Sequence, residues 1–186
     1  MKVCDILRKN KEFQNLIQKI ISSKEYQTMK QHRHHIKSNT FDHSVKVAYL
    51  CYRHHKRFHS KMNLEELIRG ALLHDYYLYD WHEKDPSHRF HGFTHPKRAL
   101  ANALRQYPNL TQTERDMIRH HMFPLTPIPP KTKGGWLICF YDKIAAISDY
   151  LEKNKDTAKH HPSSRMSKRG QNRPLFFFFL EKASKT

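Results

Sequence analysis

Ala71-Leu72-Leu73-His74-Asp75 closes an apolar helical run with an imidazole and a carboxylate side by side. Either group is expensive to bury unless it meets a partner such as a metal ion. Four other stretches offer the ligands such an ion needs: His43 in Phe41-Asp42-His43-Ser44-Val45, His95 in Phe93-Thr94-His95-Pro96, the pair His120-His121, and Asp142 in Phe140-Tyr141-Asp142-Lys143. Each lies in or beside its own apolar segment, so one helical fold brings them all to one centre.

The segments read as helices. From about 41 to 58, His43, Val47, Leu50, Cys51 and His54 fall on one face, so His43 points where the core residues point. Asn63 with Glu66 makes a capping box for the next helix. There Leu64, Leu67, Ile68, Ala71, Leu72 and Asp75 share a face, with His74 at its edge. Pro96 marks another helix start, with His95 at the N-terminal end and Ala99, Leu100, Ala103 and Leu104 following. Thr111 and Glu114 repeat the capping box ahead of Met117, Ile118, His121 and Met122, which share a face. Pro124, Pro127, Pro129 and Pro130 then enforce a loop, and Gly134-Gly135 releases the chain into a helix from Trp136 to Leu151. One stripe of that helix holds Ile138, Asp142, Ala145 and Asp149; another holds Phe140, Ile144, Ile147 and Leu151. Apolar on most sides, it is predicted to be a central buried helix. Asp149 reads as a structural or capping carboxylate.

Upstream, Ile6, Leu7, Phe13, Leu16, Ile17, Ile20 and Ile21 recur at helical spacing over residues 3–30, a lid or buttress across the core. Residues 31–42 are polar, with Ser38-Asn39-Thr40 as helix-start chemistry. Residues 76–94 have no clear period and hold Tyr, Trp and His directly after the His74-Asp75 pair, a loop placed to line a pocket.

With 186 residues the chain is most simply one domain with a sizeable core. Its 34 Lys and Arg against 17 Asp and Glu give a net charge of +17, a surface that attracts phosphates and nucleic acids. The three cysteines, Cys4, Cys51 and Cys139, show no CxxC spacing, which argues against a disulfide framework or a zinc finger. With no signal-peptide h-region and no membrane span in the sequence, the expected setting is cytoplasmic. Because His is abundant at 16 residues, position and not number decides which of them matter.

Imidazole and carboxylate ligands suit Mn, Fe, Co, Ni, Zn or Mg. In a two-metal site one ion generates hydroxide from water and the pair clamps the attacking and leaving oxygens of a phosphoester. At this point the chain resembles the HD-domain metal-dependent phosphohydrolases. His43, His74, Asp75 and Asp142 match the H…HD…D pattern in order, and His95 with His120-His121 resembles the added ligands of the dinuclear branch. The stretches LLHDYYLYDWH, HGFTHPKRALANA, IRHHMFPLT and YDKIAAISD are similar to small bacterial HD proteins. The chain lacks the GYP stretch associated with cyclic dinucleotide hydrolysis.

The resemblance implies an all-α HD-domain helical bundle with a central metal site. Residues 1–30 would be an N-terminal helical segment, 31–152 the HD domain and 153–186 a basic, poorly ordered extension that includes the run Phe176 to Phe179. It further implies two divalent ions: His43, His74, Asp75 and Asp142 on the first, Asp75 bridging, and His95 with His121 on the second. His121 is on the inward face with Met117 and Ile118, yet two consecutive histidines both coordinate in some dinuclear members, so His120 stays a candidate. Asp75 is the central catalytic residue, and Lys46 and Lys143 are candidates to contact phosphate. The expected partner is a phosphomonoester, phosphodiester or nucleotide. The alternatives are a dinuclear iron oxygenase on the same scaffold, and a nucleic-acid or nucleotide binder with a structural metal, suggested by the basic charge.

Overall fold

The structure, a computed structural model, describes residues 2–35, 38–80 and 90–159. Its elements in order are α1 (Val3–Lys9), α2 (Lys11–Ile21), α3 (Lys24–Gln27) with a single 3-10 turn (Thr28–Lys30), β1 (Arg33–His35), β2 (Ser38–Asn39), α4 (Thr40–Arg57), α5 (Leu64–Leu73), α6 (His91–Gln106), α7 (Gln112–His120) and α8 (Lys133–Lys159). The fold is a helical bundle, with β1 and β2 forming a minimal antiparallel hairpin inside the polar stretch before α4. Among the described residues, no helix is long and apolar enough to cross a membrane.

The helix starts follow from short polar side chains that accept from backbone N–H groups left orphaned in the first turn. Asn10 accepts from Phe13 at 2.9 Å, Asn39 from Asp42 at 2.8 Å and Asn63 from Glu66 at 3.1 Å. Thr111 and Glu114 complete a reciprocal capping box, at 3.2 and 2.8 Å. The fully buried Glu114 carboxylate also receives Arg69 Nη2 at 2.8 Å, which pins α7 to α5.

The hydrophobic core centres on α4 and α5, and α5 also packs against α2, α6 and α7. Gly70 permits the close approach of α5 and α7: a Cβ there would lie 2.4 Å from Met117 Sδ. The N-terminal helices act as a buttress. Phe13 packs edge-on against Tyr49, and the buried Tyr26 hydroxyl donates to the Leu72 carbonyl at 3.0 Å. That bond ties residues 1–30 to the turn that carries His74 and Asp75.

Two sequence expectations need correction. α6 begins at His91, so Pro96 lies inside it. Pro96 leaves the Gly92 carbonyl without its helical donor, and Phe90, left-handed at φ 58°, turns the chain into the helix. α8 is not buried on most sides: Ile138 and Ala145 are fully buried, whereas Trp136, Phe140, Ile144 and Leu151 are exposed. Its neighbours cover one face, and apolar composition alone cannot say how many faces find a partner.

The compact unit ends at Asn154, and α8 continues beyond it to Lys159. The helix therefore extends past residue 153, through residues of good helix propensity such as Glu152, Lys153 and Lys155. The rest of the basic extension, with the Phe176 to Phe179 run, and the loop segment 81–89 lie outside the described residues.

The proline-rich connection between α7 and α8 is anchored by one carboxylate. Asp116, 6% exposed, accepts from the backbone N–H groups of Lys131 and Thr132 at 3.0 and 2.8 Å, from the Thr132 hydroxyl at 2.7 Å, and from His120 Nδ1 at 2.8 Å. Asp116→Ala removes all four bonds to a buried carboxylate, so it should cost about 3 kcal/mol. Urea denaturation checks this; an unchanged midpoint would show that the loop holds without it.

Candidate metal centre

Five helices each bring one piece of the centre. His43 is the fourth residue of α4, His95 the fifth of α6, and Asp142 lies in α8. His74 and His121 are the C-cap residues of α5 and α7. A helix C-terminus suits a cation ligand for two reasons. Its dipole end is negative, and its last carbonyls lack intrahelical donors.

Those carbonyls orient the rings. His74 Nδ1–H donates to the Ala71 carbonyl at 2.7 Å, and His121 Nδ1–H to the Ile118 carbonyl at 2.9 Å. On α6, His95 Nδ1–H donates to the His91 carbonyl at 2.9 Å. A carbonyl can only accept, so each Nδ1 is protonated and each Nε2 faces the centre. Lys143 fixes the arrangement from behind, donating to the His121 and Cys139 carbonyls at 3.1 and 3.0 Å.

The Nε2 atoms converge on carboxylates in two groups. His43 Nε2 is 3.0 Å from Asp142 Oδ1 and 3.9 Å from Asp75 Oδ2. His74 Nε2 is 3.5 Å from the same Asp75 oxygen and 3.8 Å from Asp142 Oδ1. The other Asp75 oxygen, Oδ1, is 3.2 Å from His95 Nε2 and 3.5 Å from His121 Nε2. Asp75 thus belongs to both sets, His43–His74–Asp75 and Asp75–His95–His121, whose ligand atoms lie within 4.8 Å of one another in each. His43, His74, Asp75, His95 and His121 are all less than 5% exposed.

The remaining candidates are placed elsewhere. His120 bonds Asp116 and is in neither group. Lys46 forms a short ion pair with Asp149, three residues past His43 on α4 and seven past Asp142 on α8. Lys143 directs its ammonium to backbone carbonyls and to Cys139 Sγ.

The donors fit a divalent cation on physical grounds. His95 and His121 present their Nε2 atoms to each other at 2.9 Å. With both Nδ1 protons committed to carbonyls, two lone pairs and a carboxylate oxygen face one another, a cluster that calls for a cation between them. His74 Nε2 is buried and makes no hydrogen bond. Burial opposes a charge on His74, yet the Asp75 and Asp142 carboxylates more than offset it and push its pKa up to about 9 from 6.5. That preference for positive charge is on the order of 3 kcal/mol. Burial pushes His121 the other way, down to about 4, with His74 and His95 adding to the effect and Asp75 opposing it. Burial alone would raise Asp142, but the His43 hydrogen bond and the His74 imidazole beside it hold it well below the usual carboxylate range.

A family model described as HD domain matches residues 40–154, more than half of the chain. The chain belongs to the HD-domain family. No curated protein and no solved structure gave a significant match. Members of the HD-domain family are in general phosphohydrolases and bind divalent metals. The matched span contains α4 to α7 and every residue of the two HD-domain ligand groups.

Sequence reading missed part of the surroundings. His91 stacks on His95 with ring centroids 4.6 Å apart, and its Nδ1 lies 2.8 Å from the Tyr79 hydroxyl. Tyr77 packs edge-on against both rings and bonds Thr40 at 3.0 Å. The i, i+4 spacing of His91 and His95 carried that signal, hidden by taking Pro96 as the helix start.

Protonation gives the centre an opposite pH response with and without metal. In metal-free protein His121, with a folded pKa of about 4, contributes stability above 6.5 that is lost as pH falls toward 4. His74, raised to about 9, contributes stability below 6.5 that is lost as pH rises through about 9. Bound metal must displace the His74 proton, so the stabilisation it adds should grow from pH 6.5 to 9. Thermal unfolding in chelator and in excess Mn or Zn over that range measures both; a metal increment that shrinks toward pH 9 would contradict the assignment.

Proposed function

We propose that the protein is a metal-dependent phosphohydrolase acting on a phosphomonoester, phosphodiester or nucleotide. The reading is supported above all by Asp75, whose two carboxylate oxygens face different pairs of imidazoles. His43, His74, Asp75 and Asp142 would hold one divalent ion and Asp75, His95 and His121 a second. Bound there, the ions would lower the pKa of a water and polarise the phosphoryl oxygens.

The chain's own residues do the rest. Carbonyl-anchored imidazoles enter the reaction already oriented, so little ordering is left to the substrate complex. Two carboxylates in a buried centre would repel a phosphate, and the cations reverse that sign. Lys143 is a positioning residue in this reading: it ties the backbone at His121 to α8 rather than meeting the substrate. Lys46, held by Asp149, lies on the face that carries His43 and would reach a phosphate only by exchanging that partner.

Asp75→Asn keeps the side-chain size and removes the shared charge. It should abolish Mn-, Co-, Ni- or Mg-dependent release of phosphate in a phosphatase and phosphodiesterase screen, a loss of at least 100-fold by order of magnitude. Metal-dependent hydrolysis at the wild-type rate by the folded variant would sink the proposal, and iron-dependent oxygen consumption without phosphate release would replace it with oxygen chemistry.

A further inference from the structure

The inner stripe of α8 meets the bundle through Ile138, Asp142 and Ala145, and its outer stripe is apolar as well. Leu137, Phe140, Ile144, Ile147 and Leu151 recur at spacings of 3, 4, 3 and 4, the a/d seam along which one helix packs on another. Phe140 is 58% exposed, Ile144 38% and Leu151 52%, while Leu137 packs against the core at one end and Ile147 is half-buried, so the seam is open from Phe140 onward.

The open face is wider than the seam. Trp136, half exposed, packs edge-on against Phe123 at one end. At the side, Phe140 touches Tyr141, Tyr141 touches His54, and His54 touches Phe58, with centroids 5.2, 5.8 and 4.6 Å apart. Phe58 is itself 65% exposed. Such aromatic side chains cover on the order of 200 Å² each, so the exposed fractions leave roughly 500 Å² of apolar surface. Face to face, two copies would bury roughly 1,000 Å², the size at which specific interfaces begin.

Charge selects the partner. The chain carries +17, yet between Gly134 and Leu151 the charged residues are Asp142, Lys143 and Asp149 alone. Each is turned to the bundle: Asp142 to His43, Lys143 to the His121 carbonyl, Asp149 to Lys46. The outer stripe of α8 itself therefore carries no charge on a strongly basic protein, and the exposed Arg53 and Arg57 lie at its margin, beside His54 and Phe58. Along the seam an anionic partner would gain nothing, and a second copy would meet no like charge. We propose that α8 is a homodimer interface, its outer seam packing on the same seam of a second copy about a two-fold axis. The inference is independent of the hydrolytic reading.

Light scattering on the full chain through a dilution series tests it. Wild-type protein should have a mass of twice 22.4 kDa at high concentration. Phe140→Asp combined with Ile144→Asp should reduce it to one chain while far-ultraviolet circular dichroism and bound metal stay unchanged. Phe140→Gln with Ile144→Gln, less demanding on the helix, should weaken dimerisation at least tenfold. A wild-type chain of 22.4 kDa at every concentration overturns the proposal, as does a dimer that survives both folded variants.

Discussion

The structure turns on the Asp75 carboxylate. At 3% exposure it cannot remain charged without compensation. It finds that compensation on both sides, with Oδ2 toward His43 and His74 and Oδ1 toward His95 and His121. Every helix from α4 to α8 is placed so that one of its residues can reach this group or its partner Asp142. Backbone carbonyls at the ends of α5 and α7 do the orienting, and the same end effects favour positive charge.

Around this centre, the supporting bonds come from residues that are not themselves ligands. Tyr26 reaches the Leu72 carbonyl from the N-terminal helices, and Thr40 at the start of α4 holds Tyr77. Asp116 fastens the proline-rich connection, which sets where α8 enters the bundle and hence where Asp142 lies. His120 serves that fastening, so two adjacent histidines do different work: one holds the loop and the other faces the centre.

Much of this was legible in the sequence. Apolar periodicity and capping residues located α4, α5 and α7, and the placement of His43, Asp75, His121 and Asp142 on their core faces followed from it. What could not be read depends on how elements meet. Nothing in the sequence around Lys143 says that its ammonium turns to carbonyls, because those acceptors come from α7 and from its own helix. Pro96 resembled a helix start, but the left-handed Phe90 begins α6 five residues before His95. α8 resembled a buried helix because apolar residues recur on both of its stripes. Only packing shows that one carries Asp142 inward and the other stays open.

The most direct test of the shared carboxylate is metal stoichiometry, by elemental analysis of protein prepared without a histidine tag or metal column and reloaded with a single divalent ion. Two ions per chain in the wild type, with neither retained in Asp75→Asn, is the expected result, because both ligand groups include that residue. A chain that takes up no metal, or whose ions are all retained without the Asp75 charge, would contradict it.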